Sequence, residues 1–230
     1  MRILAIEQST PTGSLALLDG DRVLAQRSWT EPRARSPQLF ARLPACVREA
    51  GVNPAEIELF AAGLGPGSFA GIRTSVAALR GLALPGGRIV TGVSSAEAIA
   101  CDVFRERGPQ SVAVVGDARR RRLWFVRFRP DDDGRLSPEQ PLQLLSPGEL
   151  AAYLPAEGTL VASPDWERLE ESLRRAAPPA ALLPEPRLPR AATVGRQAGR
   201  ILSATGSAPP PAPIYLHPPV FEPVRPPPSR

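Results

Sequence analysis

The chain has 230 residues, 43% of them hydrophobic, and a net charge of +5 at pH 7. All 28 basic residues are arginine, which excludes a Schiff-base lysine and the phosphate-binding lysine of a Walker loop. With two cysteines far apart in sequence and one histidine, neither a two-His metal centre nor a CxxC clip can form.

The start carries one charge and a four-residue apolar run, too short for a signal segment. No window reaches the roughly 18 apolar residues of a membrane span. The expectation is a cytoplasmic protein that makes no membrane contact.

Residues 2–7 and 14–18 are short apolar runs joined by the turn-forming Gln-Ser-Thr-Pro-Thr-Gly. Gly20-Asp21 then turns the chain into a third run, 23–29, which predicts a three-stranded meander. Over 37–50, Leu39, Phe40, Leu43, Cys46 and Val47 share one helical stripe. Ser36 suits its N-cap and Pro37 its first position, while Pro44 predicts a kink or an irregular start. A strand (57–63), a helix (69–84), a strand (88–93) and a helix from Ser94 or Ser95 to about Arg107 follow. The order βββαβαβα is that of the ribonuclease H-like lobe of actin, hexokinase and Hsp70, an analogy that fixes no function.

A second lobe is expected from near Pro109. Residues 111–118 and 122–128 flank Arg119–Arg121 as a hairpin, with Trp124 and Phe128 on one face and Phe125 and Arg127 on the other. A strand (141–145), a short helix (147–154), a strand (159–163) and a helix (166–176) capped by Asp165 come next. Residues 178–190 read as a Pro-rich linker, and 192–204 as a helix returning to the first lobe. The predicted division is 1–108, 109–190, 191–207 and a tail, 208–230. Ten prolines lie between Pro209 and Arg230, so the tail should be extended or disordered unless docked. No internal repeat is evident.

Gly63 to Arg73, Gly-Leu-Gly-Pro-Gly-Ser-Phe-Ala-Gly-Ile-Arg, is the most distinctive stretch. It matches neither the Walker nor the Rossmann fingerprint. Two readings stand: an anion site in which Gly65, Gly67 and Ser68 join Glu7, Ser9 and Thr10, or a steep turn whose Ser68 caps a packing helix. The apolar stripe Phe69, Ile72, Val76 and Leu79, with small residues beside it, favours packing. Glu7 is one methylene longer than the Asp expected of an actin-like ATPase, which argues against a held Mg²⁺ and productive ATP hydrolysis.

Cys46 and Cys101 read as buried free thiols. His217, in the tail, is the only base for a Ser-His-Asp triad. Asp131–Asp133 before Gly134 read as a solvated turn. Arg119, Arg120, Arg121 and Arg122 form a solvated turn or a contact for RNA or an acidic partner.

Arg-Ile-Leu-Ala-Ile-Glu-Gln-Ser-Thr at the start, the Gly63–Arg73 stretch, Gly-Asp-Ala-Arg-Arg at 116–120 and Pro-Ile-Tyr-Leu at 213–216 together resemble the TsaB (YeaZ) family over about residues 1–217. The resemblance implies a two-lobed actin-like (ASKHA) fold in a non-catalytic subunit of the bacterial machinery for threonylcarbamoyladenosine in tRNA. It implies a TsaD-like catalytic partner, a TsaE-like ATPase, a homodimer when alone, and tRNA as an indirect partner. No cofactor is expected, with weak ATP or ADP binding left open.

The family docks through the first two helices of its N-terminal lobe, here about 37–50 and 69–84. Leu39, Leu43, Phe69, Ile72, Arg73, Val76 and Leu79 are therefore the interface candidates, to be divided between core and surface. Four positions depart from the family pattern: Glu7-Gln8 replaces Asp-Thr, Ala70 replaces Thr, Arg35 replaces His, and Arg122 replaces an acidic residue. An autonomous ATP-dependent phosphotransferase, a peptidase, an RNA-binding module and a divergent paralogue with other partners are the alternatives.

Overall fold

The computed structural model describes residues 1–30, 38–131, 134–154 and 157–217. The first lobe runs β1 (Arg2–Glu7), β2 (Thr12–Asp19), β3 (Arg22–Thr30), α1 (Gln38–Ala50), β4 (Leu59–Gly63), α2 (Phe69–Ala83), β5 (Ile89–Val93) and α3 (Ser95–Arg107). This is the expected βββαβαβα order. The second continues with β6 (Ser111–Arg119), β7 (Arg122–Pro130), β8 (Leu136–Pro138), β9 (Gln143–Leu145), α4 (Leu150–Tyr153), β10 (Thr159–Ser163), α5 (Trp166–Ala176) and β11 (Leu182–Pro186). Helix α6 (Ala191–Thr205) closes the fold.

The first sheet has the order β3-β2-β1-β4-β5, with β1 antiparallel to β2 and parallel to β4. The second, β11-β10-β6-β7-β8 with β9 also on β7, repeats that plan: a central strand antiparallel to its hairpin partner and parallel to the next. A duplication invisible as sequence similarity is thus present as topology.

Strand alternation explains how each sheet buries both faces. Leu4 and Ile6 of β1 face α1 and α2, whereas Ile3 and Ala5 face α6. In β7, Phe125 faces α4 and α5, whereas Trp124 and Phe128 face α3. Helices α6 and α3 therefore lie back to back between the two sheets.

Asp102 of α3 joins them. Its carboxylate accepts bonds from Thr193 Oγ1 (2.7 Å), Arg105 (2.9 Å) and Arg190 Nε (2.8 Å). Ser94 caps α3 through the Glu97 amide, and Gly108, at φ 58°, ends it.

Several local expectations are corrected. The linker at 178–190 contains β11, whose Pro-rich sequence suits an edge strand. Asp165 occupies the N-cap position of α5 but does not cap it. It accepts instead from the Asp117 amide (2.9 Å) and Arg168 (2.7 Å). Helix α1 continues through Pro44. The expected cap at Arg35-Ser36-Pro37 and the turn residues Asp132 and Asp133 lie outside the described residues. Asp131 does form a turn, accepting from the Arg135 amide at 2.8 Å.

Because Asp102 holds α3 to α6, Asp102→Ala should lower the unfolding free energy by about 2 kcal/mol in urea titration. A Thr193→Val change should cost less. The double variant should cost less than the sum of the two, showing that they act through one bond.

Candidate functional site

Glu7 ends β1 and is fully buried. Its Oε1 accepts from the Ser9 amide (2.6 Å) and its Oε2 from the Ser95 hydroxyl (2.7 Å). Ser95 in turn accepts from the Gly65 amide (3.0 Å) and donates its own amide to the Gly65 carbonyl (2.8 Å). The carboxylate thus ties β1, the loop after β4 and the start of α3 together. Burial pushes its pKa up, partly offset by hydrogen bonds from Ser9 and Ser95.

The glycines explain why the loops fit so closely. A Cβ on Gly63 would lie 1.7 Å from Glu7 Oε2, one on Gly67 2.1 Å from the Ser9 carbonyl, and one on Gly71 2.1 Å from the Gln8 carbonyl. Ser68 donates its amide to the Ser9 carbonyl (2.7 Å) and caps the Gly71 amide through its hydroxyl (3.2 Å). Gln8 accepts from Ser75 of α2 at 3.0 Å. Thr10 turns away and donates to the Thr12 carbonyl.

Of the six anion-site candidates, Glu7, Ser9, Gly65, Gly67 and Ser68 do converge. They converge on one another: the amides of Ser9, Gly65 and Ser68 are all taken by partners within the chain.

The helical candidates divide sharply. Leu39, Val76 and Leu79 are buried in the core of the first lobe, and Ile72 is buried beside the Gly65 turn. In the division between core and surface they fall on the core side, because spacings of three and four turn them inward on their helices. Leu43 is half-buried; Phe69 and Arg73 are exposed, with the guanidinium 4.8 Å from the ring centroid.

The surface itself is built mostly from residues outside the interface candidates, with Ala77 and Gly81 among the small residues beside the α2 stripe. Ala70, Thr74, Ala77 and Gly81 follow one side of α2. Phe40 and Leu82 flank it, 51% and 43% exposed, and Leu84 extends it. Phe40, Leu43, Thr74, Ala77 and Gly81 line a shallow apolar groove of about 500 Å³, and a neighbouring hollow of about 430 Å³ reaches under α1. A large exposed apolar residue beside small ones was the available signal.

The tail is docked as far as His217. The Thr91 hydroxyl donates to the Pro209 carbonyl (3.0 Å), Arg80 to the Pro211 carbonyl (3.3 Å) and the Ile214 amide to the Leu64 carbonyl (2.9 Å). Leu216 packs against the core of the second lobe, and His217 Nε2 lies 2.7 Å from the Ala118 carbonyl. No serine or cysteine contacts this imidazole among the described residues, so the triad does not assemble. Burial raises the Cys46 thiol to about 11 and the Cys101 thiol to about 12, both poor nucleophiles at neutral pH. Among the described residues, no three His, Cys, Asp or Glu side chains cluster to hold a metal ion, and no helix is long and apolar enough to cross a membrane.

Arg119 pairs with Asp117 (3.1 Å) and Arg122 donates to the Leu144 carbonyl (2.7 Å). Arg120 and Arg121 are exposed at the hairpin tip.

Comparison with known proteins bears on this arrangement. Residues 33–140 match the family described as TsaD, tRNA N6-adenosine threonylcarbamoyltransferase. The tRNA threonylcarbamoyladenosine biosynthesis protein TsaB of Escherichia coli K12 is 30% identical over 147 residues, 64% of this chain and 63% of that protein. TsaB of Haemophilus influenzae is 28% identical over 130 residues, 54% of this chain and 52% of that protein. In these alignments the chain spans less than two thirds of either relative. The crystal structure of YeaZ from Pseudomonas aeruginosa superposes with a TM-score of 0.78 at 26% identity, covering 94% of this chain and 99% of that one. The duplicated sheet order and these likenesses define a two-lobed, actin-like α/β protein. These likenesses are to proteins named TsaB and to YeaZ of known structure.

Gly63→Ala should destabilise the fold by more than about 2 kcal/mol, since the carboxylate cannot move away without losing its partners. Adding Glu7→Ala should recover part of that loss in thermal unfolding.

A pH dependence follows from Glu97, in the first turn of α3, where burial raises the carboxyl to about 7. The folded state holds this proton more tightly than the unfolded state. The stability this proton contributes is therefore full below pH 4.5, falls as pH rises and is gone above about 7. Glu97→Gln should flatten that part of the profile in urea titrations.

Proposed function

We propose that this chain is a non-catalytic subunit in the biosynthesis of threonylcarbamoyladenosine in tRNA, docking a TsaD-like transferase through α1 and α2. The observation that carries the proposal is the exposed apolar face formed by Phe40, Ala77, Gly81 and Leu82, small enough along α2 for another helix to approach closely. The choice of partner is supported by the match of residues 33–140, which include both helices, to the TsaD family. A TsaD-like chain would present a related helix pair. Two such pairs can pack about an approximate two-fold axis, as in isologous interfaces. Without that partner, the same face would pair two copies of this chain.

The inward turn of Glu7 supports a subunit without its own chemistry. A group that must hold a nucleotide or metal has to face the cleft, whereas this carboxylate is enclosed by Ser9, Ser95 and Gly63. Activation then belongs to the interface: docking favours the active conformation of the transferase by differential contact. A TsaE-like ATPase would complete the assembly, and nucleotide would be held there or on the TsaD-like chain.

Ala77→Glu tests this reading. Co-purification with the TsaD-like protein of the same organism should be lost, with the unfolding midpoint within a few degrees of wild type. A complex that survives this change at wild-type affinity rejects the face. Ile72→Glu is unsuitable, because Ile72 is only 2% exposed and a charge there would unfold the core.

A further inference from the structure

Two exposed features, an aromatic pair at the start of α2 and the arginine turn of the second lobe, are linked by the end of the described tail. Tyr215 and Phe69, 53% and 56% exposed, stack with centroids 5.2 Å apart and planes inclined at 39°. The Arg73 guanidinium lies over the Phe69 ring. Two residues beyond Tyr215, His217 meets the carbonyl of Ala118, the residue before the arginine turn. Two residues reach about 7 Å, so only this short stretch of tail separates Tyr215 from the residue anchored beside the turn.

The turn is costly for what a connector needs. Arg119, Arg120 and Arg121 have φ of 64°, 51° and 60°, a left-handed region that glycine or asparagine fills more easily. Each such residue costs about 1 kcal/mol or more. Arg119 and Arg122 have partners within the fold, whereas Arg120 and Arg121 make no ion pair or hydrogen bond among the described residues. Two free guanidiniums and a pair of solvent-facing rings are therefore linked by the end of the tail.

We infer that this surface binds single-stranded RNA, with a base stacking on Tyr215, which Phe69 supports from behind, and phosphates held by Arg120 and Arg121. Guanidinium forks suit phosphate oxygens, and exposed rings accept any base. An acidic peptide would use the arginines and leave the rings unengaged. The choice of RNA rests on the tRNA-modification reading, but the arginines belong to the second lobe and not to the docking face.

The test is a fluorescence anisotropy titration of the isolated full chain with a labelled, mixed-sequence single-stranded RNA of about 12 nucleotides. It is run between about 50 and 200 mM salt. Arg120→Ala/Arg121→Ala should weaken binding and reduce the log–log salt slope by about 1.4, the loss of two phosphate contacts. Tyr215→Ala should weaken binding about fivefold or more with the slope unchanged, and Tyr215→Phe should restore it.

The charge-matched control Arg174→Ala/Arg175→Ala, on α5, should bind as wild type. Equal weakening by the control, no binding at low salt, or wild-type binding by Tyr215→Ala would overturn the inference. Competition by poly-glutamate as effective as that by unlabelled RNA would reassign the surface to an acidic partner. Neither arginine change should disturb co-purification with the TsaD-like chain, so this inference and the docking reading can fail independently.

Discussion

Glu7 sits where three segments distant in sequence meet, and its burial sets the terms for the first lobe. A carboxylate without solvent must be hydrogen-bonded, and here Ser9 and Ser95 supply the bonds at 2.6 and 2.7 Å. Meeting those distances pulls the start of α3 onto the loop after β4 and requires Gly63 to lack a side chain. The β1–β2 loop then lies flat against α2, with Gly67 and Gly71 admitting the carbonyls of Ser9 and Gln8. Loops that could have stood open around a ligand are instead packed on each other. One buried acid thus fixes both the direction of α2 and the closure of the corner.

The same corner connects to the join between the lobes. Helix α3 begins at Ser95, on Glu7, and presents its other side to the second sheet, while Asp102 bonds it to α6. The tail adds a second tie, running from Thr91 and Leu64 in the first lobe to Ala118 in the second. Relative motion of the lobes would have to break side-chain bonds at Asp102 and strip Leu216 from its apolar site. A fold held at both points suits a protein that offers surfaces more than one that opens and closes around a substrate.

Much of this was legible in the sequence for a physical reason. Strands and helices with strong apolar periodicity, such as β1 and α2, announce themselves because burial is decided within a few residues. The position of Ser68 before an apolar stripe was enough to foresee a capped packing helix. What the sequence could not show depends on contacts between distant segments. Glu7 reads equally well as a cleft carboxylate or a buried one until Ser95, 88 positions away, is seen beneath it. β11 carries two prolines and reads as a linker, yet an edge strand tolerates them. The tail reads by composition as extended or disordered unless docked, and only the placement of Ile214, Tyr215 and Leu216 shows what these apolar residues do.

Helix geometry explains how α2 serves several contacts at once. At about 100° per residue, Ile72, Val76, Leu79 and Ala83 form the inward sector, all of them buried. Thr74, Ala78 and Leu82 turn toward α1 and share a groove with Phe40 and Leu43. Phe69 and Arg80 turn the other way and meet the tail at Tyr215 and Pro211. Between those flanks lies the sector of Ala70, Ala77 and Gly81, exposed among the described residues. Bulky residues on either side of small ones make a shallow trough, a shape that accepts a helix better than a small polar ligand. Phe69 stands roughly 80° around the helix from Ala77. The trough and the Tyr215 side are therefore adjoining sectors of one helix, with Phe69 on the boundary between them.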